Sequence, residues 1–274
     1  MVIRWLSKGI TYLVLCFFAF LFLYPIFLMV VSSLKTKMEI WTHPLAFPSR
    51  LSLENFKEVW ERVQFSDYIW NSVIVTGVSV LCILFIASLA GFYLSRYPFK
   101  WNKFFLFFFM IGLMLPMKLA ILPLYMIMMK LYLLDTLLSL IVIYIAHGMP
   151  LAIFIFYAFF RTVPKDLEQS AKLDGCSDFQ VYYKIILPLM KPALATVGIV
   201  NLISIWNDFF YPLIFIRDES LKTIPLGMQT LFGEYTTDWN LLFAGLTLAS
   251  LPMIIAFLFA SRQFVEGLTT GAVK

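Results

Sequence analysis

The sequence contains few charged residues and few cysteines. Asp, Glu, Lys and Arg make up 14% of the 274 positions, whereas about 25% is usual in a soluble globular domain. The three cysteines are dispersed, and two of them, Cys16 and Cys82, lie within long apolar segments. This composition argues against an ordinary soluble domain, and the cysteines give no basis for a disulfide framework.

Motifs of nucleotide-binding and catalytic sites are absent from the sequence as well. It contains no G-x-x-x-x-G-K-S/T phosphate-binding loop, no H-E-x-x-H zinc motif and no G-x-S-x-G nucleophile motif. The two histidines, His43 and His147, are too far apart in the sequence to suggest a local metal pair, and we interpret His147 as a packed or hydrogen-bonded side chain. We therefore expect no catalytic residue, no metal site and no cofactor in this chain.

Apolar and aromatic residues dominate instead. Hydrophobic residues make up 61% of the sequence, which includes 29 phenylalanines. A membrane-spanning helix needs about 20 predominantly apolar residues, and six segments meet this requirement without the alternation that is typical of strands in a membrane barrel. The sequence predicts an all-α polytopic membrane protein with six transmembrane helices, at residues 10–31, 69–94, 104–129, 137–160, 194–216 and 241–260.

The distribution of Lys and Arg predicts the orientation of these helices. With the N-terminus inside, twelve of the 21 basic residues lie in inner segments, eight in outer segments and one, Lys118, within a span. Basic residues concentrate on the cytoplasmic side, so we expect both termini in the cytoplasm. The first segment is longer than the apolar core of a signal peptide, and we expect it to remain as a span. The basic residues are dispersed along the chain, which argues against nucleic-acid binding.

The inner loop at residues 161–191 carries signals of folded structure. Its first part favours a helix that starts around Pro164, has carboxylates at Asp166 and Glu168, and stops at Asp174-Gly175. A capping box then starts a second helix, on which aromatic and apolar residues recur at helical spacing before a proline. The capping residues are Ser177 and Gln180, the expected face is Phe179, Tyr182, Tyr183 and Ile186, and the proline is Pro188. The loop is either a folded element that docks on a partner or a capped connection between spans.

Two ionisable residues lie inside apolar segments. Lys118 falls in the third segment and Asp208 in the fifth, where a charge costs about 2.5–3.5 kcal/mol on insertion scales. Such residues usually face protein or water. Two interpretations follow: a translocation cavity, or a helix-packing pair of Lys118 with Asp208 that is buried against a partner permease. The cavity would be lined by Lys118, Trp206, Asn207 and Asp208.

Local composition predicts two further features of the spans. Pro116 and Pro123 flank Lys118, so we expect a kink in the third span. Ala87 and Gly91 have the small-xxx-small spacing that favours close packing of membrane helices. We therefore expect the second span to pack tightly on a neighbour.

The loop also carries a long pattern of spaced residues. It resembles the cytoplasmic signature of the permease subunits of bacterial ATP-binding-cassette importers, which runs Glu-Ala-Ala, three residues, Gly, nine residues, Ile, one residue, Leu-Pro. The spacing is matched throughout by Gln169, Ser170, Ala171, Gly175, Ile185, Leu187 and Pro188. Glu54-Asn55-Phe56, Asn71-Ser72, Trp206-Asn207 and the tail at 267–274 resemble the carbohydrate branch, of the maltose and multiple-sugar type. Two residues depart from the signature: Gln169 replaces its acidic residue, and Ser170 replaces an Ala.

The resemblance implies that the loop is a coupling helix seated in a cleft of a cytoplasmic ATPase subunit. ATP and Mg²⁺ would then bind in that partner. The expected assembly has a second homologous permease, a pair of ATP-binding subunits and an extracytoplasmic solute-binding protein. The last would contact the outer segment at 35–67, where Ser52 is expected to cap a helix at 53–63. The residues expected to contact the ATPase are Gln169, Ser170, Ala171, Asp174, Gly175, Ile185, Leu187 and Pro188.

The function that the resemblance implies is ATP-driven import of a sugar or oligosaccharide across the bacterial cytoplasmic membrane, with hydrolysis in another chain. One alternative is an importer permease for a solute that is not a sugar. Another is an ion-coupled secondary transporter, which Lys118 and Asp208 would suit, although the sequence shows no convincing pair of repeated halves. A membrane-bound enzyme is the third, and no catalytic constellation supports it.

Overall fold

The regular secondary structure of this protein is helical. The computed structural model describes residues 2–62, 64–115, 117–232 and 237–272, and within them extended backbone pairs only at an isolated bridge between Phe232 and Thr237. The expected all-α fold is confirmed. In chain order the helices are α1 (Val2–Ser33), α2 (Lys37–Thr42), α3 (Glu54–Arg62), α4 (Phe65–Arg96), α5 (Asn102–Met114), α6 (Ile121–Lys130), α7 (Leu137–Phe160), α8 (Asp166–Leu173), α9 (Asp178–Gln180), α10 (Leu187–Leu189), α11 (Lys191–Trp206), α12 (Phe210–Phe215), α13 (Ile224–Gly227) and α14 (Trp239–Ala272).

Four of the helices are long and apolar enough to cross a membrane. Two further pairs of shorter helices meet this requirement only when each pair is taken together. The described residues therefore provide four to six candidate spans, and the prediction of six lies within that range. The four long apolar parts are Lys8–Ser33, Phe65–Arg96, Leu137–Phe160 and Trp239–Phe259, and the pairs are Asn102–Met114 with Lys118–Lys130, bent by 84°, and Asp178–Leu189 with Lys191–Trp206, bent by 76°.

The third apolar segment is bent beside Lys118, as its flanking prolines predicted. α5 ends at Met114, a 3₁₀ turn covers Met117–Ala120, and α6 follows it. Pro116 lies outside the described residues. Pro123 is the third residue of α6, a position where the backbone N–H has no intrahelical partner, so its missing N–H does not disturb the helix.

The fifth apolar segment, expected as one span at 194–216, consists of two helices. α11 ends at Trp206, and α12 covers only the six residues from Phe210 to Phe215. The residues between them, 207–209, are not helical. Apolar composition alone did not reveal this interruption, because Asn207 and Asp208 are two polar residues in a strongly apolar stretch.

The outer segment contains the short helix that the sequence predicted. Oγ of Ser52 accepts the N–H of Glu54 at a distance of 3.2 Å, and the helix runs over Glu54–Arg62. The expected short helix is confirmed, but it begins at Glu54, so Leu53 holds the N-cap position and Ser52 caps from the residue before it. Val63 lies outside the described residues. The cap works because the hydroxyl oxygen satisfies a backbone donor that has no partner in the first turn.

By its internal contacts the chain divides into two compact units. One comprises Met1–Ser66 and Gly227–Pro252, and the other comprises Asp67–Leu226 and Met253–Lys274. The second unit contains the loop at 161–191, both interrupted segments, and the buried cluster of α4, α7 and α11. The candidate functional residues therefore share one unit.

Within this unit, α4 and α7 approach each other closely at Gly91. A Cβ atom on Gly91 would lie 2.7 Å from Cβ of Phe156 and 3.1 Å from the amide nitrogen of Tyr157, so only glycine fits without a shift of α7. Ala87, one turn earlier on α4, is fully buried. The expected packing role of this pair of small residues is confirmed.

Candidate functional site

The first arm of the loop at 161–191 is α8. It begins at Asp166 and has Glu168 in its first turn, so both carboxylates lie near the positive end of the helix dipole, as predicted. Pro164 was expected in that first turn, but it lies two residues before α8, because Lys165 occupies the N-cap position. The arm is therefore one short helix of eight residues.

The first arm ends in a tight turn at Gly175. Its φ angle is +84°, its N–H bonds to the carbonyl of Lys172 at 3.1 Å, and the N–H of Cys176 bonds to the carbonyl of Ala171 at 3.0 Å. This is the Schellman pattern, in which two carbonyls at the helix end receive partners. A Cβ on Gly175 would meet open space, but the left-handed conformation costs a residue with a side chain about 1–2 kcal/mol. The predicted glycine stop is confirmed, and its constraint is conformational.

The second arm begins at the predicted capping box. Oγ of Ser177 accepts the N–H of Gln180 at 3.3 Å, and Oε1 of Gln180 accepts the N–H of Ser177 at 2.8 Å. After α9 the chain widens into a π-helix over Val181–Ile186. Pro188 has no N–H for the carbonyl four residues earlier, and a π-helix pairs residues five apart. The wider turn therefore accommodates the proline before the arm ends at Leu189.

The aromatic face expected on the second arm is divided in two, which corrects the prediction. Tyr182 and Ile186 are buried, whereas Phe179 and Tyr183 are 58% and 61% exposed. A π-helix has more residues per turn than an α-helix, so residues four apart stay in line while residues three apart separate. The rings of Phe179 and Tyr183 stack at the surface, with centroids 6.5 Å apart and planes within 5°.

A buried ion pair fixes the first arm to α4. Nε of Arg96, the last residue of α4, lies 2.6 Å from Oε1 of Glu168, and Nη2 of Arg96 donates to the carbonyl of Val163 at 2.8 Å. The two side chains are only 4% and 13% exposed. Sequence reasoning missed this contact, since the only local signal was a basic residue at the end of a span, where the helix dipole favours it.

The second arm is fixed to the same helix through Tyr182. The hydroxyl of Tyr182 lies 2.7 Å from Oγ of Ser88 in a buried hydrogen bond, and its ring contacts that of Phe92 with centroids 5.2 Å apart. Phe92 in turn packs against Phe160, the last residue of α7, at 5.4 Å. Both arms of the loop therefore rest on the C-terminal turns of α4.

A second ion pair joins the two arms across the turn at the surface. Nζ of Lys172 lies 2.7 Å from Oδ1 of Asp178 and 5.4 Å from the centre of the Tyr97 ring. The hydrogen bond from Lys172 lowers the pKa of Asp178 below its usual value and raises the pKa of Lys172. Because the two side chains are 46% and 48% exposed, water screens the pair and its effect on stability is small.

The residues predicted to contact an ATPase subunit differ in exposure. Ala171 is buried in the core of this chain, so its side chain is not on the exposed surface of the loop. Ile185 and Leu187 are half-buried. The exposed members of the set are Gln169, Ser170, Asp174, Gly175 and Pro188.

Two residues of the predicted pathway set satisfy backbone groups at the interruption of the fifth segment. Oδ2 of Asp208 accepts a hydrogen bond from the hydroxyl of Tyr144 on α7 at 2.9 Å and one from the N–H of Tyr211 at 3.0 Å. Asn207 donates from Nδ2 to the carbonyl of Ile203 at 2.9 Å. These side chains provide partners for the start of α12 and the end of α11, which explains the break between them.

The other two members of that set are Lys118 and Trp206. Nζ of Lys118 lies 5.0 Å from the centre of the Phe210 ring, a cation–π contact between the two interrupted segments. Within the described residues Lys118 and Asp208 do not pair, since Asp208 binds Tyr144 and a backbone N–H instead. Their packing against a partner permease stays a prediction. Trp206 is only 7% exposed and packs within its own chain.

A polar cavity next to Tyr144 was not found from the sequence. Its volume is about 160 Å³, and Tyr144 and His147 of α7 line it together with Asn201 and Ser204 of α11. The two residues on each helix are three positions apart and therefore lie on one face of it. A search for polar residues at this spacing within the spans would have detected them. No group of three or more His, Cys, Asp or Glu side chains in the described ranges is placed to hold a metal ion.

Comparison with known proteins places the sequence among transport proteins. Residues 83–269 match the family described as "Binding-protein-dependent transport system inner membrane component". The probable ABC transporter permease protein YurM of Bacillus subtilis is 40% identical over 261 residues, covering 94% of this chain and 87% of YurM. The arabinooligosaccharides permease protein AraQ of Halalkalibacterium halodurans is 34% identical, covering 94% and 93%. The melibiose/raffinose/stachyose import permease protein MelC of Bacillus subtilis is also 34% identical, covering 91% of each.

The fold agrees with a solved membrane complex. A chain of a bacterial ABC transporter involved in the import of the acidic polysaccharide alginate superposes with a TM-score of 0.83 at 20% sequence identity, covering 94% of this chain and 96% of that one. At this identity the likeness shows a shared fold. The family match over residues 83–269 and the 40% identity to YurM go beyond a shared fold. They show that the chain belongs to the family of inner-membrane components of binding-protein-dependent transport systems.

Proposed function

We propose that this chain is one of two permease subunits of an ATP-driven importer that carries a sugar or an oligosaccharide. The observation that carries the proposal is the folded loop at 161–191, which presents an exposed glycine turn while both of its arms are fixed to α4. A loop that only joined two spans would need no such anchors. AraQ is a permease for arabinooligosaccharides and MelC one for melibiose, raffinose and stachyose, which supports a sugar as the solute.

The energy source in this proposal is a pair of ATP-binding subunits. The sequence has no phosphate-binding loop of the G-x-x-x-x-G-K-S/T type, so ATP and Mg²⁺ bind in those partners and this chain is a non-catalytic membrane subunit. Its membership of a binding-protein-dependent family argues against an ion-coupled secondary transporter. The remaining partners are a second, homologous permease and an extracytoplasmic solute-binding protein.

Docking on the ATPase uses the exposed part of the loop. Leu173, just before the turn, is 89% exposed, and the stacked rings of Phe179 and Tyr183 are exposed on the second arm. Exposed apolar side chains on short helices are typical of helix-in-groove recognition. The rest of the contact consists of the polar and turn residues around them: Gln169, Ser170, Asp174, Gly175 and Pro188. Ile185 and Leu187 lie at its edge, and Ala171 is packed beneath it.

The solute path runs past the two interrupted segments. Broken helices free backbone polar groups at membrane depth, which is tolerated where they line a cavity. Lys118, Asn207 and Asp208 lie at these breaks, and Trp206 is the buried last residue of α11. The polar cavity beside Tyr144 opens between α5, α7 and α11. Hydroxyl, amide and carboxylate groups suit a polyhydroxylated solute, since they donate and accept hydrogen bonds.

The orientation proposed for the chain follows from its basic residues. With the loop at 161–191 and both termini on the cytoplasmic side of the cytoplasmic membrane, twelve of the 21 Lys and Arg lie in inner segments. This supports the orientation, because basic residues concentrate on that side. The outer segment at 35–67, with α2 and α3, then lies on the opposite side. It is the part of the chain that contacts the solute-binding protein.

The test is made on the complete importer, purified with its second permease and ATP-binding subunits and reconstituted in liposomes. ATP hydrolysis and uptake are measured with and without sugar-loaded binding protein. Gly175→Val should leave the subunit inserted and the permease pair formed, but it should abolish ATPase docking or the stimulation of hydrolysis. Gly175→Asn is the matched control, because Asn tolerates the left-handed conformation better than a β-branched residue does.

Two results would contradict the proposal. Full stimulated hydrolysis and full uptake with Gly175→Val would mean that the loop only connects two spans. Absence of stimulation with every member of a panel of mono- and oligosaccharides, in an importer that another class of solute activates, would mean that the solute is not a sugar.

A further inference from the structure

Arg96 connects a membrane helix with two separate points of the cytoplasmic loop. Its Nε faces Oε1 of Glu168 on the first arm at 2.6 Å, and its Nη2 binds the carbonyl of Val163, before that arm begins, at 2.8 Å. Arg96 is also the last residue of α4. Displacement of the first arm would therefore either break these contacts or move the C-terminal end of α4, a long apolar helix.

Burial makes this contact different from an ordinary surface ion pair. The side chain of Arg96 is 4% exposed and that of Glu168 is 13% exposed, so solvent screens their attraction little. Separating the two groups would leave a charge buried without its partner, which is strongly unfavourable. The first arm and α4 consequently move together, whereas an exposed pair would allow them to slip.

The second arm is held by the same helix through different chemistry. Tyr182 binds Ser88 and packs on Phe92, two turns and one turn before Arg96. This contact consists of one neutral hydrogen bond and ring packing, and neither of its partners carries a charge. Arg96 and Glu168 provide an ionic contact between the loop and α4, and Nη2 of Arg96 adds a directional, charge-assisted hydrogen bond to the carbonyl of Val163.

We propose that Arg96 is a positioning residue that transmits movement of the loop to the spans, through its buried ion pair with Glu168. The inference rests on the proposed function, since it assumes that the loop receives movement from an ATPase subunit. It also assigns different roles to neighbouring residues. Glu168 binds within its own chain, and the exposed Gln169 beside it faces the partner.

The experiment measures solute uptake per ATP hydrolysed in the reconstituted importer. Arg96→Gln and Glu168→Gln should each lower this ratio by about fivefold or more, the lower range of typical coupling between sites. The amount of ATP-binding subunit that co-purifies should not change, because neither residue is on the exposed surface. Arg96→Lys should give an intermediate ratio, since an ammonium group lacks the fork that reaches Glu168 and Val163 together.

The double variant Arg96→Gln with Glu168→Gln separates transmission from a merely structural effect. If the two residues act through one contact, the double variant lowers the ratio no further than either single variant does. It also leaves no unpaired buried charge, so it decides the test if a single variant fails to accumulate. The matched control is Asp178→Asn, which removes the exposed pair with Lys172 in the same loop and should leave the ratio unchanged.

Three results would overturn the inference. The double variant could keep the wild-type ratio of uptake to hydrolysis, or its loss could equal the product of the two single-variant losses. The third is a loss with Asp178→Asn as large as that of the Arg96 and Glu168 variants. Gly175→Val distinguishes this failure from failure of the proposed function. If Gly175→Val uncouples the importer and the Arg96 and Glu168 variants do not, the loop couples and only the role of Arg96 is wrong. If none of them uncouples it, the proposed function is wrong too.

Discussion

The hydroxyl of Tyr144 donates a hydrogen bond to Oδ2 of Asp208 at 2.9 Å and so joins α7 to the point where the fifth apolar segment loses its helix. The same oxygen accepts the N–H of Tyr211 and starts α12. Asp208 thus has a structural task at the break, and its position beside the polar cavity gives it a place on the proposed solute path.

Asp208→Asn should lower solute uptake while the assembled importer persists. The substitution keeps the size of the side chain and one oxygen that can accept from Tyr144, but it removes the charge. Tyr144→Phe removes the donor alone and serves as the companion variant, since it leaves the charge in place. Uptake and subunit amount in membranes are measured for both. If Asp208→Asn retained wild-type uptake, Asp208 would have only a packing role and no role on the solute path.

Trp206→Ala should reduce the amount of subunit in the membrane. Trp206 is 7% exposed, and truncation of a buried Trp to Ala typically costs about 3–5 kcal/mol through the cavity that it leaves. Trp206→Phe, which keeps most of the ring volume, should be tolerated better. The measurements are subunit amount and the midpoint of thermal aggregation in detergent. Normal amounts combined with lost uptake would instead assign Trp206 to the solute path.

Gln169→Glu should leave coupling unchanged or improve it. The substitution restores the acidic residue of the importer signature on an exposed position of α8, and Glu168 cannot supply that charge because it is buried against Arg96. Stimulated ATP hydrolysis of the reconstituted importer is the measurement. Ser170→Ala, which restores the other departure, is the control. A marked loss with Gln169→Glu alone would show that the ATPase surface has adapted to glutamine.

Gly91→Ala should destabilise the second unit of the chain. The added Cβ would lie 2.7 Å from Cβ of Phe156, and overpacking of this kind typically costs about 1–3 kcal/mol. Gly198→Ala is the matched control on another membrane helix, because its Cβ would meet only Leu84, at an ordinary contact distance of 3.8 Å. The midpoint of thermal aggregation should fall for Gly91→Ala and hold for Gly198→Ala. Equal midpoints would mean that α7 can shift away from α4.

Reporter fusions should place the two ends of α4 on opposite sides of the membrane. α4 has 32 residues and is therefore about 48 Å long, more than enough to cross a hydrocarbon core of about 30 Å. A reporter after Lys103 should read cytoplasmic, and one at Glu54 should read external. The same side for both would contradict the proposed orientation and would move the loop at 161–191 away from the ATP-binding subunits.

The sequence by itself determined the class of this protein and the local form of its loop. Apolar runs of about 20 residues require a membrane, and the glycine stop at Gly175 and the capping box of Ser177 with Gln180 both follow from residue types at short spacing. Such signals are readable because they depend on residues within one or two helical turns. The kink beside Lys118 and the packing role of Gly91 belong to the same group.

Only the tertiary structure decided which distant residues meet. Arg96 pairs with Glu168, Tyr144 binds Asp208, and Lys118 lies over Phe210 rather than beside Asp208. None of these contacts has a signature in residue spacing, because the partners lie on different helices. The divided aromatic face had a local cause, the π-helix before Pro188, but a helical wheel assumes 3.6 residues per turn and cannot show it. Long-range geometry, set by how α4, α7 and the loop pack, thus fixed the roles that local chemistry left open.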